Sequence, residues 1–438
     1  MTPRDHDIEL FSVPVEQTPI TTLTSEDKAR SRGTRIGVVV ACVVGGIVSP
    51  KLMINISLGT FLIPISHDFQ WPRERISGVL TLLAVVSALT YPIVGRLADQ
   101  FGPRRMILVG ILGAGLSVFA LGFLQPNIFL FYGLFGLIGM FGSLSSTMIY
   151  NQVIARTFDR TRGTMLGVTS GLGNGLGAVI VPFAVLFLMR ASNWRGAFIG
   201  LGVIVLVIGF PTILSLLKDP PRPARMQDSP ADDLAGMTLM QAARTSSFWL
   251  TAVAVCLGAG CLLAVQAHIV PILSDRGFPV SQGTLVVSVF AIAGACWMPV
   301  AGWILDWIGS PKIIAPLYLL SAAGALALEH GTTLPLLATG GAIMGIGSAT
   351  EFAALSYFTS RYFGLRCFGI ITGVMYSAAT IAQGVTPYLM DVDFDHHKSY
   401  LLSLHIIEVA LVAGALLIAC LPQYSANVAL WRKTPISP

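Results

Sequence analysis

Lys51 lies about 15 residues into an apolar stretch, 36–63, or about 22 Å along a helix rising 1.5 Å per residue. A charge at that depth in a bilayer costs at least about 2.5–3.5 kcal/mol, so it faces a cavity or a partner. An ammonium there can bind a substrate carboxylate, with Asn55 one turn further on the same face. The alternative is a long side chain that snorkels to the interface. Glu351 is the one acid well inside the central stretches of the second half. It stands ten residues before Arg361, about 15 Å above the inner surface. Three readings of it stay open: a carboxyl that takes up and releases a proton during transport, an ion pair with Lys51 that closes a cavity, or a structural carboxyl bonded to neighbouring helices. Asn174, Gln266, Tyr376 and Gln383 have the depth to line the same cavity. So have Tyr150, Asn151, His268 and Tyr357, and any of these can serve instead as an interhelical hydrogen bond.

Other chemistry finds no support. The chain has no P-loop, no GxSxG elbow, no zinc-ligand spacing and no paired catalytic carboxylates, so it reads as neither an ATPase nor an enzyme, with no cofactor. Its six cysteines lie in or beside apolar stretches without a CxxC pair and read as packing residues. Asp395-His396-His397-Lys398 has metal-binding residue types but no second ligand cluster, so no metal is expected. His405 and Glu408, three apart in the last stretch, read as packing or an interface.

The elements that must position these residues are membrane helices. Hydrophobic residues make up 54% of the chain and charged ones 11%, against about 25% charged in a soluble domain. About twelve apolar stretches of roughly 18–29 residues can be drawn, and about 20 suffice to cross a bilayer. The first, 36–63, and the fourth, 127–153, each read as one continuous span. The resulting plan is all-α: a tail 1–34, a six-helix half 35–217, a linker 218–245 rich in proline and aspartate, a second six-helix half 246–421 and a tail 422–438. With both termini cytoplasmic, 20 of the 27 Lys and Arg fall on the inner side. The outer loops hold six, namely Arg73, Arg75, Arg190, Arg195, Arg276 and Lys398, as the positive-inside rule requires. The sequence pI near 8.9 therefore reflects topology and implies no nucleic-acid partner. The first 34 residues carry six acids and do not read as a cleavable signal.

The two halves repeat each other. Gly95, Asp99 and Gly102 in Gly95-Arg96-Leu97-Ala98-Asp99-Gln100-Phe101-Gly102 recur 207 residues later as Gly302, Asp306 and Gly309. The same offset pairs Pro64 with Pro271 and Asp68 with Asp275. A looser repeat pairs Arg156-Thr157-Phe158 and Pro182 with Arg361-Tyr362-Phe363 and Pro387 at an offset of 205. Duplicated halves with a site between them are the usual plan of a secondary transporter.

On these residues the chain resembles the major facilitator superfamily over essentially its whole length. Gly95 through Gly102, continued by Pro103-Arg104-Arg105, is similar to that superfamily's signature loop. More narrowly it resembles the bacterial monocarboxylate-porter and oxalate/formate-exchanger branch. That likeness rests on Trp71-Pro72-Arg73-Glu74-Arg75-Ile76-Ser77, on Asn193-Trp194-Arg195-Gly196-Ala197-Phe198, and on Glu351 through Arg366. It departs from the branch at Met298, where an arginine often meets the substrate carboxylate, and in having no lysine in the eleventh span. The resemblance implies a bacterial inner-membrane protein working as a monomer in the lipid bilayer. It also implies a conformational latch: Asp99 engages the N-terminus of the eleventh helix, Arg104, Arg105 and Arg162 add charge-assisted pairing or serve as topological charge, and Gly95 and Gly102 permit close packing. Asp306 should do less, since its copy keeps only Lys312. The favoured function is transport of a small organic anion, a monocarboxylate, by proton symport or exchange. The alternatives are a proton-driven exporter of drug-like hydrophobic compounds, against which an isolated Pro182 preceded by Gly167, Gly171, Gly173, Gly175 and Gly177 in place of a Gly-Pro pair argues, and a non-transporting membrane sensor, for which the tails are short.

Overall fold

The computed structural model describes residues 25–218 and 236–424. The start of the expected tail, most of the expected linker and the last residues of the chain lie outside the described residues. The first half comprises α1 (Ser25–Ile47), α2 (Pro50–Phe69), α3 (Arg73–Phe101), α4 (Pro103–Leu121), α5 (Ile128–Leu144), α6 (Thr147–Thr157), α7 (Arg162–Ala191), α8 (Trp194–Ile204) and α9 (Phe210–Leu216). A π-helical turn, Val205–Gly209, joins α8 to α9. After a short α10 (Leu239–Ala243), the second half comprises α11 (Ser246–Asp275), α12 (Val280–Ile308), α13 (Ile314–His330), α14 (Leu334–Tyr362), α15 (Phe368–His397) and α16 (Leu401–Ala419). Among the described residues, eleven helical spans are long and apolar enough to cross a bilayer. The 29-residue α14, which holds Glu351, is long enough to make a twelfth crossing. With twelve crossings, α1 begins and α16 ends on one face, called here the terminus face.

Two expected spans are each a pair of helices. The first breaks between α1 and α2 at Pro50, whose ring cannot continue a helix but suits its first turn. Ser49 before it is extended. The fourth breaks between α5 and α6 at Ser145 and Ser146. There hydroxyls compete for the helix carbonyls, Ser143 Oγ donating to Gly139 and Ser146 Oγ to Ser143. α1 also begins at Ser25, within the stretch read as tail.

The motif glycines do their work at the helix ends and crossings. Gly102, with φ at 88°, turns α3 into α4, and Gly309, with φ at 60°, ends α12. Both conformations disfavour any side chain. Where α3 crosses α15, a Cβ on Gly95 would collide with the carbonyl of Gly369. The same collision would occur between Gly163 and Gly302 where α7 crosses α12. The halves thus meet backbone to backbone at two equivalent crossings. Leu89, Phe129, Phe187, Trp307 and Val409 are exposed on the outside of the bundle, as a lipid-facing surface demands.

Candidate functional site: a central cavity and its latches

A cavity of about 600 Å³ lies between the halves. Lys51, Asn55, Asn174, Gln266, Tyr376 and Gln383 all stand in its wall, with Tyr91, Ser146, Thr147 and Met298. Lys51 occupies the second position of α2, just past the break. Its Nζ donates to the Tyr91 hydroxyl at 2.9 Å and lies 5.0 Å from the centre of that ring. Among the described residues it has no carboxylate partner. The two breaks bring the N-termini of α2 and α6 to the cavity, through Ser49, Lys51, Ser146 and Thr147. The first amide N–H groups of a helix have no intrahelical acceptor and carry partial positive charge. The cavity therefore presents an ammonium, two helix N-termini and neutral amides and hydroxyls. That combination suits a small anion.

Toward the terminus face the halves are tied shut. Asn151 Nδ2 donates to Ser356 Oγ at 3.0 Å and to Tyr376 Oη at 3.4 Å. Beyond this, Asp99 accepts from the amides of Gly369 (2.9 Å) and Ile370 (3.0 Å) at the N-terminus of α15. Gln152 Nε2 at 2.7 Å and the Arg156 guanidinium at 2.9 Å complete its shell. Asp306 makes the mirrored contact on α7, accepting from the amides of Gly163 (2.8 Å) and Thr164 (2.7 Å) and from the Thr164 hydroxyl. Arg361 pairs with Asp159 across the same face.

The cations expected at Asp99 are elsewhere. Arg104 donates to the Leu214 carbonyl, Arg105 is exposed, and Arg162 is held by Phe158 O and Asp159. Arg156 takes their place because the break before α6 turns that helix toward Asp99. The looser repeat had marked it through its match with Arg361.

Glu351 does not line the cavity. It is buried behind α14, facing α11 and α13, where the Tyr318 hydroxyl donates to Oε1 at 3.1 Å. Its Oε2 is buried without a hydrogen-bond partner. Lys51 and Glu351 are not paired in this conformation. Of the remaining depth candidates, Tyr357 donates to Leu305 O and His268 bridges Ala264 O and Asp391, both away from the cavity.

The sequence profile described as "Major Facilitator Superfamily" matches residues 51–387. The chain belongs to that superfamily. It is a multi-pass membrane transporter of a small-molecule substrate and not an enzyme. It is 26% identical over 352 residues to monocarboxylate transporter 11 of Mus musculus, spanning 76% of this chain and 73% of that protein. It is 22% identical over 386 residues to the gallate transporter of Pseudomonas putida, spanning 76% and 83%. The crystal structure of the E. coli fucose:proton symporter superposes with a TM-score of 0.65 at 16% identity, over 92% of this chain and 100% of that one, which shows a common fold. Members of such two-half folds usually carry their site between the halves, where this chain has its cavity and its two crossings.

Proposed function

We propose that this transporter carries a small organic anion of the monocarboxylate class by alternating access, through proton symport or exchange. One observation carries the reading. The Lys51 ammonium stands in the cavity wall on a neutral tyrosine hydroxyl, without an internal counter-charge among the described residues. An incoming carboxylate supplies that counter-charge, with the N-termini of α2 and α6 beside it. Asn55, Asn174, Gln266, Tyr376 and Gln383 would then orient the rest of the substrate. The relatives named for monocarboxylate and gallate transport support the anion class.

Glu351 is the proposed proton carrier. From its place against Tyr318 it acts on the packing of α11, α13 and α14 without touching substrate. Asp99 and Asp306 act as latches that hold the terminus face shut while the cavity is open opposite. The Lys and Arg bias supports a cytoplasmic terminus face in a bacterial inner membrane, and the chain is proposed to work as a monomer.

The test is uptake of radiolabelled carboxylates into proteoliposomes under an inward proton gradient. Wild type should give saturable uptake. Lys51→Ala removes a charge-assisted contact worth about 1.5–3 kcal/mol and should raise KM by about 10- to 100-fold. Glu351→Gln should abolish gradient-driven accumulation while substrate counterflow persists. Carboxylate uptake indifferent to Lys51→Ala would discard the site. Efflux of hydrophobic cations without any carboxylate flux would replace the reading with drug export.

A further inference from the structure

Outside the central cavity, at the face opposite the termini, the last turn of α13 packs against the first turns of α16. Glu329 is the last residue but one of the first of these helices, and His405 and Glu408 lie on the second. One ligand atom from each of the three residues falls within 4.8 Å of the others. His405 Nε2 is 3.1 Å from Glu329 Oε1, and His330 Nδ1 is 3.5 Å from the same oxygen. The Glu329 side chain is only 3% exposed, yet its Oε2 has no hydrogen-bond partner, and Glu408 Oε1 is likewise buried and unsatisfied.

Two carboxyl groups packed together with unused oxygens need a positive charge to offset burial and mutual repulsion. Among the described residues, the ion pairs of Glu329 are with His330 and His405 alone, and no lysine or arginine serves it. A proton shared between the carboxyls serves their oxygens but does not account for two imidazole nitrogens converging on one of them. A metal ion uses all of them. Bonds of about 2.0–2.1 Å to a tetrahedral zinc place two ligand atoms about 3.3 Å apart, close to the observed 3.1 Å. An imidazole with two carboxylates is a donor set that zinc accepts, whereas calcium and magnesium call for six or more oxygens.

We propose that Glu329, His405 and Glu408 form a site for a divalent transition-metal ion, zinc by its chemistry, with His330 within reach as a fourth ligand. The ion ties α13 to α16 on the flank of the second half. None of these residues lines the substrate cavity, so the site is separate from the transport reading and does not rest on it.

The experiment is titration of the full-length, chelator-stripped protein in detergent with Zn²⁺ by calorimetry, and with Co²⁺ by visible absorption. The expected result is one ion per chain and the intense d–d bands of tetrahedral cobalt. Loss of an outer-shell partner costs about 10–100-fold in metal affinity, so His405→Ala and Glu408→Gln should each weaken binding by about 100-fold or more. His405 is exposed, so its replacement tests ligation without disturbing packing. His268→Ala, which removes a histidine paired with Asp391 on other helices, should leave binding unchanged. Absence of stoichiometric binding would overturn the proposal. So would binding that is equal in wild type and His405→Ala, or binding lost in His268→Ala.

Discussion

Lys51 and Gly258 hold equivalent places in the two halves, 207 residues apart, and their surroundings are opposites. In the first half, Pro50 breaks the helix and its neighbour Lys51 reaches into the cavity. In the second half the place of Pro50 is taken by Leu257, and α11 runs unbroken. There the missing side chain of Gly258 makes room for a carboxyl, since a Cβ on it would stand 2.7 Å from Glu351 Oε1. Glu351 itself matches Ser146 at the looser offset of 205. Ser146 stands just before the first turn of α6 at the cavity wall, while Glu351 lies in the continuous α14 and faces away from it. One duplicated scaffold has thus been divided between two tasks. On the proposed reading the broken half receives an anion, while the intact half holds a buried carboxyl.

Breaking the intact half should have the largest effect. Leu257→Pro removes a backbone bond and forces a ring against α11, at a cost of about 3 kcal/mol or more. The thermal unfolding midpoint of the purified protein should fall markedly. An unchanged midpoint would mean that helix continuity does not distinguish the halves. The latches offer a sharper and smaller test. Asp99→Asn loses an ion pair and charge-assisted bonds, whereas Asp306→Asn loses only the latter. We expect the first to favour opening of the terminus face by about 2–3 kcal/mol and the second by about 1–2 kcal/mol. The readout is thiol labelling of Ser356→Cys, buried beneath the cavity, in a background without the native cysteines. Equal labelling rates in the two variants would erase the asymmetry. Smallest is Pro50→Ala, which allows α1 and α2 to fuse. The field of a helix N-terminus is worth about 0.3–1 kcal/mol, so the KM for the transported anion should rise about two- to fivefold. An unaltered KM would leave Lys51 as the anion contact without help from the break.

The twelve crossings and two halves were legible because long apolar stretches and a motif at a fixed offset leave few alternatives. The cavity wall was legible in part. Depth along a helix identified five wall residues, and the helical repeat from Lys51 added Asn55, since polar side chains at mid-membrane must face something other than lipid. Depth alone does not give direction around a helix axis, and Glu351 shows the cost. It has the height of the cavity but faces α11 and α13. The breaks were hidden for a related reason. Pro64, Pro92, Pro182, Pro271, Pro299 and Pro387 all sit inside continuous helices. A proline in an apolar stretch therefore does not announce an interruption, and Pro50 looked like the others. Arg156 was missed at Asp99 because Arg104 and Arg105 are nearer in sequence, while the approach of α6 depends on the unseen break at Ser145.

The size of the cavity sets a further condition on the cycle. A space of about 600 Å³ corresponds to about 20 water molecules at the volume each occupies in the liquid. The proposed cargo, a monocarboxylate of a few heavy atoms, displaces only some of them. Closing the halves over such a cargo must return the remainder to the bulk, so occlusion is partly a dehydration step. Its equilibrium will respond to water activity, and solutes too large to enter the cavity will favour the closed form.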